Sequence, residues 1–230
     1  MQHQAISTSL SKIAISSLLF LVCIPSFAQQ YKKKIVPVQD TIPTFRGVQV
    51  STDLVGPVQL AVSDYGQYEG AVKVNLKDKY FPTVELGYGK ANAENASTKL
   101  TYKTNAPYFK AGVDFNLMKD KHDIYRIYGG FRYAFTIFKY NVASSGLVDP
   151  IWKGNTNISA TGISGSFHWL EALFAIDAKI WGPLRLGWSF RYRRRLIHNH
   201  GDIGAPWYVP GYGRYGNARL GGTFNVALEF

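Results

Sequence analysis

Apolar and polar side chains alternate one for one in eight separate stretches between residue 46 and residue 230. A period of two marks β-strands that present one apolar and one polar side. Residues 46–55 set Val48, Val50, Thr52 and Leu54 against Gln49, Ser51 and Asp53. The same parity continues through Val58, Leu60 and Val62, so this strand either ends near Gly56-Pro57 or bulges there and runs on. Stretches 66–76 and 80–89 flank a short turn at Lys77-Asp78-Lys79, 108–117 and 124–138 flank Met118–Asp123, and 167–180 and 184–193 flank Trp181-Gly182-Pro183. The last stretch, Ala218–Phe230, places Leu220, Phe224, Val226, Leu228 and Phe230 on one side. A strand at the end of a chain frays unless a neighbour holds it, so closure against the first strand is expected.

Short turns and longer polar connections alternate strictly along this series. An even number of roughly ten-residue alternating segments with that rhythm is the signature of an eight-stranded, antiparallel, up-and-down transmembrane β-barrel. The polar parity carries Asp53, Glu69, Glu85, Asp114, Glu171, Asp177 and Glu229 with Lys73, Lys110, Arg126, Arg132, Lys179, Arg185, Arg191, Arg193 and Arg219. This near-balance suits an enclosed ion-pair network, because unpaired buried charge is expensive. A lipocalin-like soluble barrel would instead turn the apolar parity inward. The apolar side is nearly free of charge along every strand, and Tyr68, Tyr80, Tyr88, Tyr108, Tyr125, Trp169 and Tyr192 are expected near strand ends at a membrane interface.

The other end of the chain favours the membrane alternative. Lys12 precedes an apolar run from Ile13 to Ile24, and Ser26-Phe27-Ala28 supplies the small residues of a cleavage site, so residues 1–28 are expected to be a signal peptide cut between Ala28 and Gln29. Residues 29–45 then form a periplasmic tail carrying Lys32-Lys33-Lys34, and 46–230 form the barrel. The 230 residues include a single cysteine, Cys23, inside the leader. Disulfides, thiol catalysis and cysteine metal sites are thereby excluded from the mature chain. The formal charge of +11 includes Lys12, the only charged residue of the leader, so the mature chain carries +10. A basic balance without a fitting motif does not indicate nucleic-acid binding.

The segment Tyr80-Phe-Pro-Thr-Val-Glu-Leu-Gly-Tyr-Gly89 and the loop Pro210-Gly-Tyr-Gly213 resemble those of a barrel family of Bacteroidota, within the OmpA/OmpX-like class of small eight-stranded outer-membrane barrels of Gram-negative bacteria. The resemblance covers about residues 46–230. It implies an outer-membrane location with both termini periplasmic, a monomer, and handling by the barrel assembly machinery through a terminal signal carried by Phe224, Leu228 and Phe230. It brings no activity, no cofactor and no catalytic residue, and no counterpart of the peptidoglycan-binding domain that follows the OmpA barrel is expected.

Three constellations invite chemistry. Ser166, His168 and Glu171 are the nearest set to a lipid-modifying hydrolase, but Glu171 has the opposite parity from the other two. His198, His200 and Asp202 form an H-x-H-x-D run suited to Zn or Cu, with no fourth ligand in view. Arg193, Arg194, Arg195 and Arg214, with Arg219, are expected to form a basic rim against lipopolysaccharide phosphates, which the planar guanidinium grips well. The leading expectation is a non-enzymatic envelope barrel that anchors surface loops. The hydrolase and a narrow pore are the alternatives, and eight strands leave an interior that side chains fill.

Overall fold

The alternating stretches fold as the strands they predict, several of them running beyond the alternation. The computed structural model describes residues 43–95, 99–148, 155–199, 201 and 204–230. The expected leader and its expected cleavage point between Ala28 and Gln29, Lys32–Lys34, His200 and Asp202 lie outside the described residues. The strands are β1 (Phe45–Asp53), β2 (Tyr65–Leu76), β3 (Tyr80–Asn95), β4 (Leu100–Asn116), β5 (Tyr125–Val148), β6 (Asn155–Trp181), β7 (Leu184–Asn199), a small pair β8 (Tyr208–Val209) and β9 (Gly213–Arg214), and β10 (Ala218–Glu229). Eight of them close in a ring in the order β1-β10-β7-β6-β5-β4-β3-β2, with every pairing antiparallel. The chain is an all-β, eight-stranded, up-and-down barrel.

Closure runs through the chain's last residues. β1 pairs β10 from Gln49↔Glu229 to Asp53↔Asn225, and Val48 and Phe230 exchange two backbone hydrogen bonds of 2.9 Å. Phe230 therefore lies in the seam of the barrel.

Four features depart from the sequence reading. First, β1 ends at Asp53 and the next residues turn into a helix, α1 (Val55–Val62). Val55, Val58 and Val62 also fit helical spacing, and Pro57 in the first turn removes only an amide that has no intrahelical partner. Asp53 supplies the missing cap: its carboxylate accepts from the amides of Val55 at 3.0 Å and Gly56 at 2.9 Å.

Second, two of the connections expected as loops continue as paired strands, up to Asn95↔Leu100 between β3 and β4 and up to Val148↔Asn155 between β5 and β6. Third, Tyr108 and Trp169 point into the barrel, where they are 2 % and 0 % exposed. They share parity with Lys110 and Glu171, and alternation decides their side. Tyr68, Tyr80, Tyr88, Tyr125 and Tyr192 do face outward. Fourth, Lys179, beside a register shift at the end of β6, is exposed, and Arg219 is only half-buried.

Candidate functional site

The polar parity of the strands converges on the axis and fills it. Around Lys110, which has no exposed surface, the ammonium lies 2.8 Å from Glu69, 3.2 Å from Glu171 and 3.6 Å from Glu85. Arg191 reaches the same three carboxylates at 2.7–3.4 Å, and Arg193 Nε donates to Glu171 Oε1 at 3.0 Å. Arg132 bridges Glu85 and Asp114, and Lys73 adds a 2.9 Å pair to Asp114. Toward the short turns, Arg126 joins Glu229 at 2.7 Å and Asp78 at 3.3 Å, while Arg185 joins Asp177 and Glu229. Glu69, Asp78, Glu85, Asp114, Glu171, Asp177 and Glu229 thus meet the buried or half-buried Lys73, Lys110, Arg126, Arg132, Arg185, Arg191 and Arg193, equal in number, and the exposed Arg46 adds an outer pair to Asp78. Equal numbers matter because a buried charge without a partner costs several kcal/mol.

Asp78 belongs to this network although it sits in the turn between β2 and β3. Its φ of 55° is tolerated by Asp, and its backbone amide donates to Asn75 Oδ1. Burial raises its carboxyl pKa, but the Asn75 amide, His122, Arg126 and Arg46 outweigh burial and hold it below the ordinary value.

At the long-hairpin end the network gives way to aromatic packing. The connection after β7 turns back into the mouth, and its hairpin β8–β9 buries Tyr208, Val209 and Tyr212 completely among Tyr102, Tyr108, Phe138, Tyr140, Phe167 and Trp169. Tyr102 donates its hydroxyl to the carbonyl of Tyr208 at 2.7 Å, Tyr208 donates to the carbonyl of Gly66 at 3.2 Å, and Arg193 donates to the carbonyl of Tyr212 at 2.9 Å. Burial pushes the Tyr208 and Tyr212 phenols upward in pKa, so both remain neutral donors.

The two segments singled out in the sequence meet at this plug. A Cβ on Gly89 would lie 2.8 Å from Cα of Pro210, and one on Gly87 would lie 2.2 Å from the Tyr108 ring. Gly211, at φ +79°, brings its Cα face against the same ring, where a Cβ would approach to 2.5 Å. The glycines of Tyr80–Gly89 and of Pro210–Gly213 together make room for Tyr108 and the hairpin tip. Strand parity alone puts the charged network inside, whereas the plug's contacts join residues far apart in the chain and leave no local pattern.

Below the plug, the lumen retains two cavities of about 40 Å³ each, the size of a water molecule or so. A cavity of about 550 Å³ lies at the long-hairpin end between α1, the β8–β9 hairpin and β10.

The candidate catalytic set is divided by the wall. His168 lies on the outward parity, accepts or donates at Nδ1 to the Tyr133 hydroxyl at 2.7 Å and stacks on Phe135, whereas Glu171 is wholly buried among Lys110, Arg191, Arg193 and Trp169. Of the expected basic rim, Arg193 is inside and committed to Glu171, a consequence of sharing parity with Arg191. Arg194 is exposed, Arg195 donates to Asn217 and lies over Tyr215, and Arg214 lies over Tyr65 and Trp207. Among the described residues no group of His, Asp and Glu is arranged to hold a metal ion.

A sequence profile for a family described as a domain of unknown function, DUF6048, matches residues 10–230. The chain belongs to that family. The DUF6048 match takes in the whole ring of strands and the plug hairpin. Two solved structures are similar over 80 % of the chain: a major outer membrane protein from Thermus thermophilus, at 12 % identity over 98 % of that chain with a TM-score of 0.43, and Ail, the attachment invasion locus protein of Yersinia pestis, in complex with the heparin analogue sucrose octasulfate, at 9 % identity over 93 % of that chain with a TM-score of 0.36. No curated protein matches.

Proposed function

We propose that this barrel resides in the outer membrane as a sealed, non-enzymatic anchor for its long hairpins. The observation that carries the reading is the inversion of the fold: charge fills the interior, and the outer wall is apolar. Val72, Leu86, Phe131, Ile137, Phe174, Trp188, Phe190 and Leu220 are all exposed. A contiguous apolar wall of this kind is foreign to a soluble monomer. Exposed rings cluster near the short turns at Phe45, Tyr80, Tyr125, Trp181 and Phe230, and again higher at Tyr68, Tyr88 and Tyr192. Tyr80 and Tyr88 are about 19 Å apart along the normal at about 3.4 Å per residue and 45° tilt, comparable to an apolar band about 25 Å tall with aromatic girdles.

The strand rhythm and the resemblance to small eight-stranded barrels support the periplasmic placement of the termini and the short turns. The long hairpins and the plug then face the outside. Arg194, Arg195 and Arg214 stand at that rim and suit lipopolysaccharide phosphates. The chain works as a monomer and reaches the membrane through the barrel assembly machinery.

The packed lumen argues against a pore and the divided Ser166/His168/Glu171 set against a hydrolase. Membrane fractionation with heat-modifiable gel mobility tests the location, a soluble periplasmic barrel being the refuting result. Planar-bilayer recordings test the seal: no porin-like steps are expected, and sustained stepwise conductance would refute it.

A further inference from the structure

The barrel wall is incomplete beside β10. β10 pairs β7 along its whole length up to Ala218↔Arg194, but its pairing with β1 stops at Asp53↔Asn225, followed only by Leu54 donating to the Phe224 carbonyl and the Phe224 amide donating to Asp53. Beyond that point no strand pairs with this edge of β10 among the described residues, and α1 packs chiefly against β2. By strand alternation, the amides and carbonyls of Gly222 and Leu220 face the same side as those of Phe224, toward the opening.

The 550 Å³ cavity occupies this opening. On its outer lip stand the exposed Val58, Val62 and Leu220, and its inner wall includes Arg214 and Arg219. Among the described residues neither arginine has a carboxylate partner; Arg219 donates to the carbonyls of Arg214 and Tyr215. Among the described residues Asp53 is the only acidic one lining the cavity, and its oxygens are taken by the amides of Val55, Gly56 and Phe224. The cavity therefore has a positive end and an apolar lip. Its depth fits a membrane boundary: from Phe45 to Asp53 β1 climbs about 19 Å at 45° tilt, so the wall opens in the upper part of an apolar band of about 25 Å.

We propose that this slot binds the phosphate monoester headgroup of an outer-leaflet lipid, with Arg214 and Arg219 on the phosphate and the chain descending past Val58, Val62 and Leu220. This rests on the outer-membrane reading above. The phosphate also accepts from the strand-edge amides, which would otherwise lie unpaired at the edge of hydrocarbon.

The test titrates monododecyl phosphate, inorganic phosphate and dodecanol into the folded full-length mature chain in a neutral maltoside detergent. Saturable binding of monododecyl phosphate alone is expected, weakened at least about tenfold, or 1.4 kcal/mol, in Arg214→Ala/Arg219→Gln. Gly222→Phe places a ring on the outer lip of the slot, beside Leu220, at a position where a Cβ meets only Ser189 O at 3.7 Å. It should abolish binding while heat-modifiable mobility is kept. Unchanged binding in both variants, or inorganic phosphate or dodecanol binding as well as the amphiphile, overturns the site. The same wild-type preparation is added to phosphatidylcholine vesicles: failure to insert overturns the membrane reading and the proposal with it, whereas insertion without the predicted binding overturns the lipid site alone.

Discussion

Glu171 is the place to test whether the interior is a coupled, water-poor ion network. Its carboxylate is wholly buried, 3.2 Å from Lys110, 3.4 Å from Arg191 and 3.0 Å from Arg193, and it accepts from Trp169 Nε1 at 2.8 Å. Glu171→Gln keeps the shape and removes the charge, leaving three cations with Glu69 and Glu85. Breaking a buried pair from one side costs about 3–5 kcal/mol, and the surviving carboxylates place this case near about 3 kcal/mol. At an m of about 2 kcal/mol/M the urea midpoint should fall by about 1.5 M. Lys110→Met should cost a similar amount, because it leaves Glu69, Glu85 and Glu171 short of a cation. The double variant restores charge equality and places an apolar chain along the lysine stem, so it should be more stable than the sum of the single losses by at least about 1 kcal/mol. The assay is reversible urea unfolding in vesicles, followed by tryptophan fluorescence and by the heat-modifiable band. Single variants within about 0.5 kcal/mol of wild type, or strict additivity, would refute the reasoning and indicate a hydrated lumen.

Three further outcomes are expected. Gly211→Ala forces a Cβ toward the Tyr108 ring at φ +79°, so the hairpin should leave its seat and protease should cut near Trp207–Tyr215 under conditions where wild type resists; equal resistance would count against the plug. Asp78 is held below its ordinary pKa of 3.8, so its stabilising contribution is complete above that value and is lost as pH falls through the folded pKa; urea midpoints compared above pH 5 and below pH 3 should show a smaller acid loss in Asp78→Asn, and an identical loss would remove Asp78 from the account. Phe230→Ala should lower the yield of assembled barrel in the outer membrane, since its ring is 73 % exposed at the seam while its backbone exchanges two bonds with Val48; normal yield and normal SDS resistance would contradict this.

Alternation made the eight strands and their facing legible, because the side of each residue is a local property. Lys110, Arg132, Glu171 and Arg191 could be placed inside by counting alone, and the same count placed Tyr108 and Trp169 there. Treating these two as interfacial rings followed their chemistry rather than their parity, and the barrel follows parity. The upper halves of β3 and β4 were hidden because their outward positions, Asn92, Glu94, Thr101 and Lys103, are polar where the lower strands carry apolar residues, although Ala91, Tyr102 and Thr104 still alternate inward. Residues 55–62 satisfied both periods at once, and Asp53, through its hydrogen bonds to Val55 and Gly56, decided for the helix. The plug was out of reach for a different reason. Its fit depends on Gly89 meeting Pro210 and Gly211 across more than a hundred residues, with Gly87 and Gly211 both against the Tyr108 ring, which no window of sequence displays.

The central claim is the inside-out sorting of the wall, and two tryptophans report on it directly. Trp188 lies 64 % exposed on the outer wall, and Trp169 is fully enclosed beneath the plug. Variants retaining one tryptophan each, folded into vesicles whose lipids are brominated along the acyl chains, should show strong quenching of Trp188 and none of Trp169. Quenching of Trp169 with Trp188 spared, or equal quenching of both, would contradict the account.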